Sequence, residues 1–149
     1  MRIRFAREDE LDQLSDLALR SKAVHGYSSE FLEACRAELT ITPARLATET
    51  ILVAEQSGRR LGFVAVAVDR DSADLVDLFV EPDYRGSGLG SRLLEAAVET
   101  ARSSGATRLE IEADPHAEDW YCKRGAERIG ETPSGSIPGR VLPVLELRL

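Results

Sequence analysis

The spacing of hydrophobic residues changes after the first five positions of the chain. Ile3 and Phe5 alternate with arginines, which is the two-residue period of a half-buried strand. Apolar residues then recur every three or four positions, which is the period of an amphipathic helix. The sequence therefore predicts a short strand followed by helices over residues 8–18 and 28–39.

The middle of the chain has the pattern of a sheet. Three apolar stretches rich in β-branched residues are separated by two polar turns, so they predict an antiparallel meander over residues 51–55, 61–68 and 75–80. Pro82 ends the third strand, because proline has no amide hydrogen to donate to a sheet.

The last third of the chain alternates between helix and strand. Asp114 stands at an N-cap position and Pro115 at the first position of a short helix. No repeat, low-complexity tract or linker interrupts the pattern, so we expect one α/β domain over residues 1–149. The predicted elements are a helix at 88–104, a strand at 107–113, a helix at 115–124 and strands at 126–131 and 141–147.

A glycine-rich turn, Arg85-Gly86-Ser87-Gly88-Leu89-Gly90, precedes the long helix. Glycines let a ligand approach the backbone closely, and the amides at a helix start have no partner within the helix. The helix dipole and Arg85 add positive charge. The turn is therefore expected to bind a pyrophosphate.

Other phosphate-binding motifs fit this turn less well. A dinucleotide fold needs Gly-x-Gly-x-x-Gly, but counting from Gly86 puts Ser91 at the last position, and the preceding strands are predicted to be antiparallel. A P-loop needs a lysine, which the turn lacks. A plain connector would not need three glycines and an arginine.

Two segments resemble the GCN5-related N-acetyltransferases. Arg-Gly-x-Gly-x-Gly at 85–90, after a strand that ends at Pro82, looks like that family's coenzyme A pyrophosphate motif. Residues 114–125 resemble its Asn-Pro-x-Ala-x-x-Phe-Tyr-x-x-x-Gly segment. The order of predicted elements also matches, so the resemblance covers essentially the whole chain. It implies a GNAT-type acyl-CoA N-acyltransferase fold, with helices flanking a mixed, mostly antiparallel sheet.

The resemblance also implies an activity. An acetyl group would pass from acetyl-CoA to a primary amine in a ternary complex, without a covalent enzyme intermediate. The backbone at the end of the fourth strand would orient the thioester, with the amide of Val80 as oxyanion donor. The cofactor-binding residues implied are Leu78, Phe79, Val80, Arg85, Gly86, Ser87, Gly88, Leu89, Gly90, Ser91 and Asp114.

Two side chains are candidates for proton transfer. Tyr121 falls on the family's position for the tyrosine that protonates the coenzyme thiolate, although its helix spacing alone favours a core aromatic. Several relatives have a glutamate where this chain has Val76. The adjacent Asp77 points to the opposite face, where a structural hydrogen bond is at least as strong an alternative as catalysis. The general base stays open between Asp77, a chain of water molecules and Glu33.

The acceptor is expected to contact the first two helices and the late loop. His25, Tyr27 and Glu33 are candidates in the first region. Arg140 in the late loop is a candidate anchor for a carboxylate or phosphate of the substrate. Composition points the other way: 19 Lys and Arg against 26 Asp and Glu give a net charge of -7, which favours a cationic acceptor. The sequence leaves this conflict open.

The composition also argues against several classes of partner. An acidic surface repels phosphate backbones, so neither nucleic acid nor an anionic membrane is expected. The longest apolar run, residues 63–68, is too short for a membrane span and no secretory signal is visible, which predicts a cytoplasmic protein. Cys35 and Cys122 are too few for a metal cluster, and neither histidine pairs recognisably with Cys122 to make it a nucleophile.

The most favoured acceptor is a small molecule with a primary amine. A protein N-terminus or lysine is the alternative within the same class of reaction. A non-catalytic coenzyme A sensor and, more remotely, a nucleotide-binding enzyme are alternatives of other classes. A homodimer is also open, since the apolar strand at 141–147 can contribute to an interface.

Overall fold

The computed structural model describes all residues from 1 to 149. Its helices and strands follow the order predicted from the sequence, with one additional helix. The elements are β1 (Arg2–Phe5), α1 (Leu11–Ala23), α2 (Ser29–Leu39), α3 (Pro43–Thr48), β2 (Thr50–Gln56), β3 (Arg59–Asp69), β4 (Ser72–Val80), α4 (Leu89–Ser103), β5 (Arg108–Glu112), α5 (Glu118–Cys122), β6 (Glu127–Pro133) and β7 (Val141–Arg148).

All seven strands form one sheet in the order β1-β2-β3-β4-β5-β7-β6. Every neighbouring pair is antiparallel except β4 and β5, which are parallel. The predicted meander is β2, β3 and β4, and the predicted class, a mixed and mostly antiparallel sheet flanked by helices, is confirmed. No helix combines the length and the apolar character that a membrane crossing requires.

Two details of the helices differ from the prediction. Helix α3 was not expected, because its six residues are too few to show a hydrophobic period. Its start signals are present: the Thr42 hydroxyl accepts a hydrogen bond from the Arg45 amide, and Pro43 occupies the first position. The helix predicted at 115–124 is a 3-10 turn, Pro115–Ala117, followed by the short α5.

Helices cover the sheet on both faces. On one face, α4 packs through a stripe that includes Leu93 and Ala97. On the other, α1 and α2 pack through residues that include Leu14 and Cys35. Side chains of β3 alternate between these two cores, as the pleat of a strand requires, and its buried Phe63 belongs to the second.

Strand β4 carries a bulge at Val76. Ala65 pairs with Asp77 and Val66 with Leu75, so Val76 has no partner on β3. One extra residue reverses the alternation that follows. Leu75 therefore packs in the core under α4, whereas Asp77 and Phe79 point toward the face covered by α1 and α2.

The pairing of β4 with β5 ends just before this bulge. The last matched residues are Leu75 and Ile111, although β4 continues to Val80. Beyond them the edge of β4 that faced β5 has no strand partner. The two parallel strands thus enclose a gap at the centre of the sheet.

A buried carboxylate joins β1, β3 and the start of α1. Glu10 is fully buried and accepts two hydrogen bonds from Arg4, at 2.8 and 2.9 Å, and one from Arg60 at 2.6 Å. Its carboxylate also accepts a bond of 2.6 Å from the amide of Arg7. Burial alone would raise the pKa of Glu10, but these hydrogen bonds lower it to about 2.

Replacing Glu10 with Gln should lower the free energy of unfolding by about 3 kcal/mol at pH 7, because Arg60 loses its carboxylate partner and Arg4 keeps only Glu55. Since the pKa is lower in the folded chain, this stabilisation exists above about pH 4.5 and is lost toward pH 2. The difference between the two proteins should therefore shrink over that range, as measured by urea denaturation.

The control for this variant is Glu99→Gln, which breaks an exposed ion pair with Arg102 on α4. Exposed pairs contribute little, so the control should change the free energy by less than about 0.5 kcal/mol. Equal losses in the two variants would contradict the role given to Glu10.

Candidate active site

A cavity of about 760 Å³ lies where β4 and β5 separate. Its wall is formed by α1 and α2, by β4 and β5, by α5 and by the loop between β6 and β7. Residues from both cores line it, so the cavity passes between the two strands. It brings together seven of the residues predicted for the site, namely His25, Asp77, Leu78, Phe79, Asp114, Tyr121 and Arg140.

The glycine-rich turn lies next to this cavity along the chain, between β4 and α4. Gly86 and Gly88 have φ angles of +77° and +87°, which residues with a side chain rarely adopt. The Ser87 hydroxyl accepts a hydrogen bond of 3.3 Å from the Leu89 amide, and the side chain of Arg85 is exposed. The amides that donate no hydrogen bond within the chain are those of Gly86, Gly88, Gly90 and Ser91.

Two contacts hold the turn in place. At its start, the buried Glu81 accepts hydrogen bonds from Arg20 of α1. At its end, Gly90 packs against the indole of Trp120, and a Cβ atom there would stand 3.1 Å from the ring. A side chain at position 90 would therefore require the indole to shift by a few tenths of an ångström. These two contacts connect the segment around the turn to α1 and α5.

The amide of the last residue of β4 points into the gap between β4 and β5. The amide of Glu81 donates a hydrogen bond of 2.7 Å to the carbonyl of Leu61 on β3. Backbone groups of successive residues in a strand point to opposite sides. The amide of Val80 therefore points away from β3, into the gap that β5 leaves open.

Tyr121 is both a core residue and part of the cavity wall. Its side chain is 7% exposed, and its ring meets Trp120 edge-on at 5.0 Å between centroids. The phenol makes no hydrogen bond within the chain. Burial, with a smaller contribution from the charge of Asp77, raises the pKa of Tyr121 well above its usual value. The phenol is therefore protonated at neutral pH.

Asp77 is buried and carries a structural partner that the sequence did not reveal. Its carboxylate accepts a hydrogen bond from Arg45 of α3, and Arg45 also binds Glu49 at 2.8 Å. Burial raises the pKa of Asp77, although Arg45 opposes this effect. Val76, at the bulge, is 40% exposed and takes no part in this contact.

A cluster of four side chains is centred on Asp114, which is one of the four. We call Lys22, Tyr27, Asp114 and Arg140 the Asp114 cluster. The carboxylate accepts hydrogen bonds from Lys22 at 3.1 Å, from the Tyr27 hydroxyl at 3.0 Å and from Arg140 at 3.4 Å. It also caps the following 3-10 turn, since it accepts a bond of 2.9 Å from the His116 amide.

The electrostatics of this cluster follow from those contacts. Burial alone would raise the pKa of Asp114, but the hydrogen bond from the His116 amide and the charge of Lys22 lower it to about 2. Tyr27 and Arg140, predicted to contact the acceptor, are bonded to each other at 2.8 Å as well as to Asp114. The cluster thus joins the loop after α1 to the loop between β6 and β7.

His25 lies at the edge of the cavity and stacks on a second histidine. The rings of His25 and His116 are parallel, with centroids 4.6 Å apart. Burial is the main cause that lowers the pKa of His25, and the charges of His116, Arg85 and Lys22 act in the same direction. The imidazole of His25 is therefore neutral at pH 7.

Glu33 is not brought to the cavity. Its side chain is exposed on α2 and forms an ion pair of 3.0 Å with Arg36. Other carboxylates that the sequence did not single out do line the cavity. These carboxylates are Glu38, Asp74, Glu110 and Glu112. The two on β5 could have been noticed from the sequence, because they alternate with Leu109 and Ile111. Their position beside a cavity, however, depends on which strand lies next to β5.

Comparison with known structures identifies the fold. A GCN5-related N-acetyltransferase from Rhodopseudomonas palustris superimposes with a TM-score of 0.81 at 25% identity, over 99% of this chain and 95% of that one. The PaiA N-acetyltransferase from Thermoplasma acidophilum, solved in complex with coenzyme A, also gives 0.81, at 19% identity and over the full length of both chains.

Comparison of sequences identifies the family. An uncharacterised N-acetyltransferase of Bacillus subtilis (strain 168) is 36% identical over 86 residues, which is 52% of this chain and 58% of that protein. The matches to other curated relatives span between 29% and 41% of their length. The profile of the acetyltransferase (GNAT) family matches residues 11–126. The chain therefore belongs to the acetyltransferase (GNAT) family.

Proposed function

We propose that the protein transfers the acetyl group of acetyl-CoA to a primary amine of a small molecule. The observation that carries this proposal is the course of β4, which lines the cavity with its second half and leads directly into the glycine-rich turn. A cofactor bound at the turn can thus reach the cavity along one strand edge. Structures of similar fold have been solved with coenzyme A or acetyl-CoA, which supports this cofactor.

The cofactor would be held mainly by backbone groups. The unpaired amides at 86, 88, 90 and 91 suit the pyrophosphate, and Arg85 adds a charge-assisted contact. The free edge of β4 suits the pantetheine, since Leu78 and Val80 offer amide and carbonyl groups with no strand partner, whereas those of Phe79, between them, point toward β3. The amide of Val80, directed into the gap, would then stabilise the oxyanion.

The reaction follows from these positions. The neutral amine attacks the thioester carbonyl, a C–N bond forms, and the C–S bond breaks with its electron pair on sulfur. The nitrogen loses a proton, for which Asp77 or a water molecule bound to it is the candidate acceptor. The thiolate takes a proton from Tyr121, which is then restored from solvent. The products are an amide, coenzyme A with a free thiol, and one proton for each alkylammonium consumed.

The shape of the cavity favours a small acceptor. Its volume of about 760 Å³ lies within the range of small-molecule sites. The Asp114 cluster joins two loops beside it, whereas a polypeptide acceptor would need an open groove. The names of relatives refer to acceptors as different as [ribosomal protein bS18]-alanine and thialysine, so they do not select one.

Replacing Arg85 with Ala should weaken acetyl-CoA binding about tenfold to a hundredfold, because a charge-assisted contact to the pyrophosphate is lost. Isothermal titration calorimetry at low ionic strength measures the change. Arg92→Ala is the matched control, since Arg92 is exposed on α4 close to the turn and has no ion pair. Equal weakening in both variants would argue against a site at the turn.

Replacing Tyr121 with Phe should lower kcat about a hundredfold and leave the KM for acetyl-CoA nearly unchanged, because the proton donor to the thiolate is removed. The loss should be the same from pH 7 to 9, since burial keeps the phenol protonated throughout. The melting temperature should not fall, because the hydroxyl makes no hydrogen bond. A thiol-release assay with a panel of amines measures turnover.

The control for this variant is Tyr84→Phe, which removes another hydroxyl that makes no hydrogen bond within the chain. Its turnover should equal that of the wild type. Unchanged turnover in Tyr121→Phe would remove this residue from the mechanism. Tight binding of coenzyme A by the wild type, with no thiol release from any amine, would instead identify a binding module and contradict the proposed transfer.

A further inference from the structure

We propose that Asp114 determines which charge the acceptor carries. By engaging both cationic side chains of the cavity, it leaves Asp74, Glu110 and Glu112 without an ion pair. The cavity then selects an amine with a second positive charge over an amine with a carboxylate. This inference rests on the proposed acetyl transfer and adds the substrate class to it.

The cations of the cavity are already occupied. Lys22 and Arg140 are its only lysine and arginine, and His25 is neutral at pH 7. Both cations bind Asp114, at 3.1 and 3.4 Å, and their side chains are only 12% and 17% exposed. Arg140 is further held by the Tyr27 hydroxyl at 2.8 Å. An anionic group of a substrate would therefore have to compete with Asp114 for both cations.

The packing of the two cations confirms that they are fixed. The Arg140 guanidinium lies over the rings of Tyr27 and Phe31, at 5.4 and 4.8 Å from their centroids. The Lys22 ammonium lies 5.5 Å from the Tyr27 ring. Turning either cation toward a substrate would break a cation–π contact as well as an ion pair.

Three other carboxylates of the cavity, Asp74, Glu110 and Glu112, form no ion pair; Glu110 is half-buried and the other two are exposed. Asp74 and Glu110 are matched across the parallel pair, so their side chains lie side by side on one face. Neither forms an ion pair, and Glu112 lies two residues further along the same face of β5. The nearest cation along the same face of β5, Arg108, is directed to the Ser72 hydroxyl at 3.4 Å.

Like charges placed side by side destabilise a sheet unless a cation joins them. A second ammonium group on the acceptor would supply that cation. A carboxylate in the same place would meet several negative charges and no available positive one. The geometry therefore favours diamines and related cationic amines, and it argues against the role first considered for Arg140 as an anchor for a substrate carboxylate.

The test compares two acceptors of equal length, 1,4-diaminobutane and 4-aminobutanoate, which differ only in the group remote from the reacting amine. For the wild type, kcat/KM should be at least a hundredfold higher with the diamine. Asp114→Asn keeps the size of the side chain but releases Lys22 and Arg140. It should reduce this preference at least tenfold, chiefly through a lower KM for 4-aminobutanoate.

Two further variants make the result specific. Glu99→Gln removes one negative charge, as Asp114→Asn does, but from an exposed ion pair with Arg102 on α4, so the preference between the two acceptors should stay within about twofold of wild type. Glu110→Gln should raise the KM for 1,4-diaminobutane and reduce the preference for the diamine at least threefold, because it neutralises one of the cavity carboxylates that has no ion pair. This second variant tests the proposal even if Asp114→Asn fails to fold, which its melting temperature and its affinity for acetyl-CoA would show.

Three results would overturn the inference. The wild type could prefer 4-aminobutanoate, Asp114→Asn could fold and keep the wild-type preference, or Glu110→Gln could fold and keep the wild-type preference. In each case acetyl transfer itself would still be observed. The absence of thiol release with these and all other amines would be different, because it would refute the proposed transfer and the inference with it.

Discussion

The structure depends on the point at which β4 stops pairing with β5. Up to Leu75 the two strands form an ordinary parallel pair; beyond it, β4 keeps only its partner on the other side. A strand edge without a partner exposes amide and carbonyl groups that need hydrogen bonds from elsewhere. A ligand laid along that edge can supply them, so the site follows from an interruption of the sheet.

The bulge at Val76 determines which side chains the ligand would meet. Because it reverses the alternation of β4, it turns Asp77 to the face covered by α1 and α2 and leaves Tyr121 to approach from the other side. The buried carboxylate of Asp77 and the buried phenol of Tyr121 therefore line one cavity from opposite faces of the sheet. A regular strand would have placed both on the same side.

The parts that the sequence could predict are those determined locally. The period of the apolar residues predicts most strands and helices, and the glycines of the turn are needed for positive φ angles at Gly86 and Gly88. Helix α3 is too short to show a period, so the contact of Arg45 with Asp77 could not be foreseen. The Asp114 cluster joins Tyr27 to Asp114 across 87 positions of sequence, and only the fold shows which residues meet there.

Asp114 also shows which properties of a residue can be inferred from its position in a family motif and which cannot. The resemblance places Asp114 at the start of a segment where the family has asparagine, and it implies contact with the cofactor. An aspartate at that position carries a charge, and in this chain the charge attracts Lys22 from α1 and Arg140 from the loop between β6 and β7. We infer that the same place in the fold thereby acquires an electrostatic role toward the acceptor. A departure from a motif can therefore be more informative about specificity than the residues that match it.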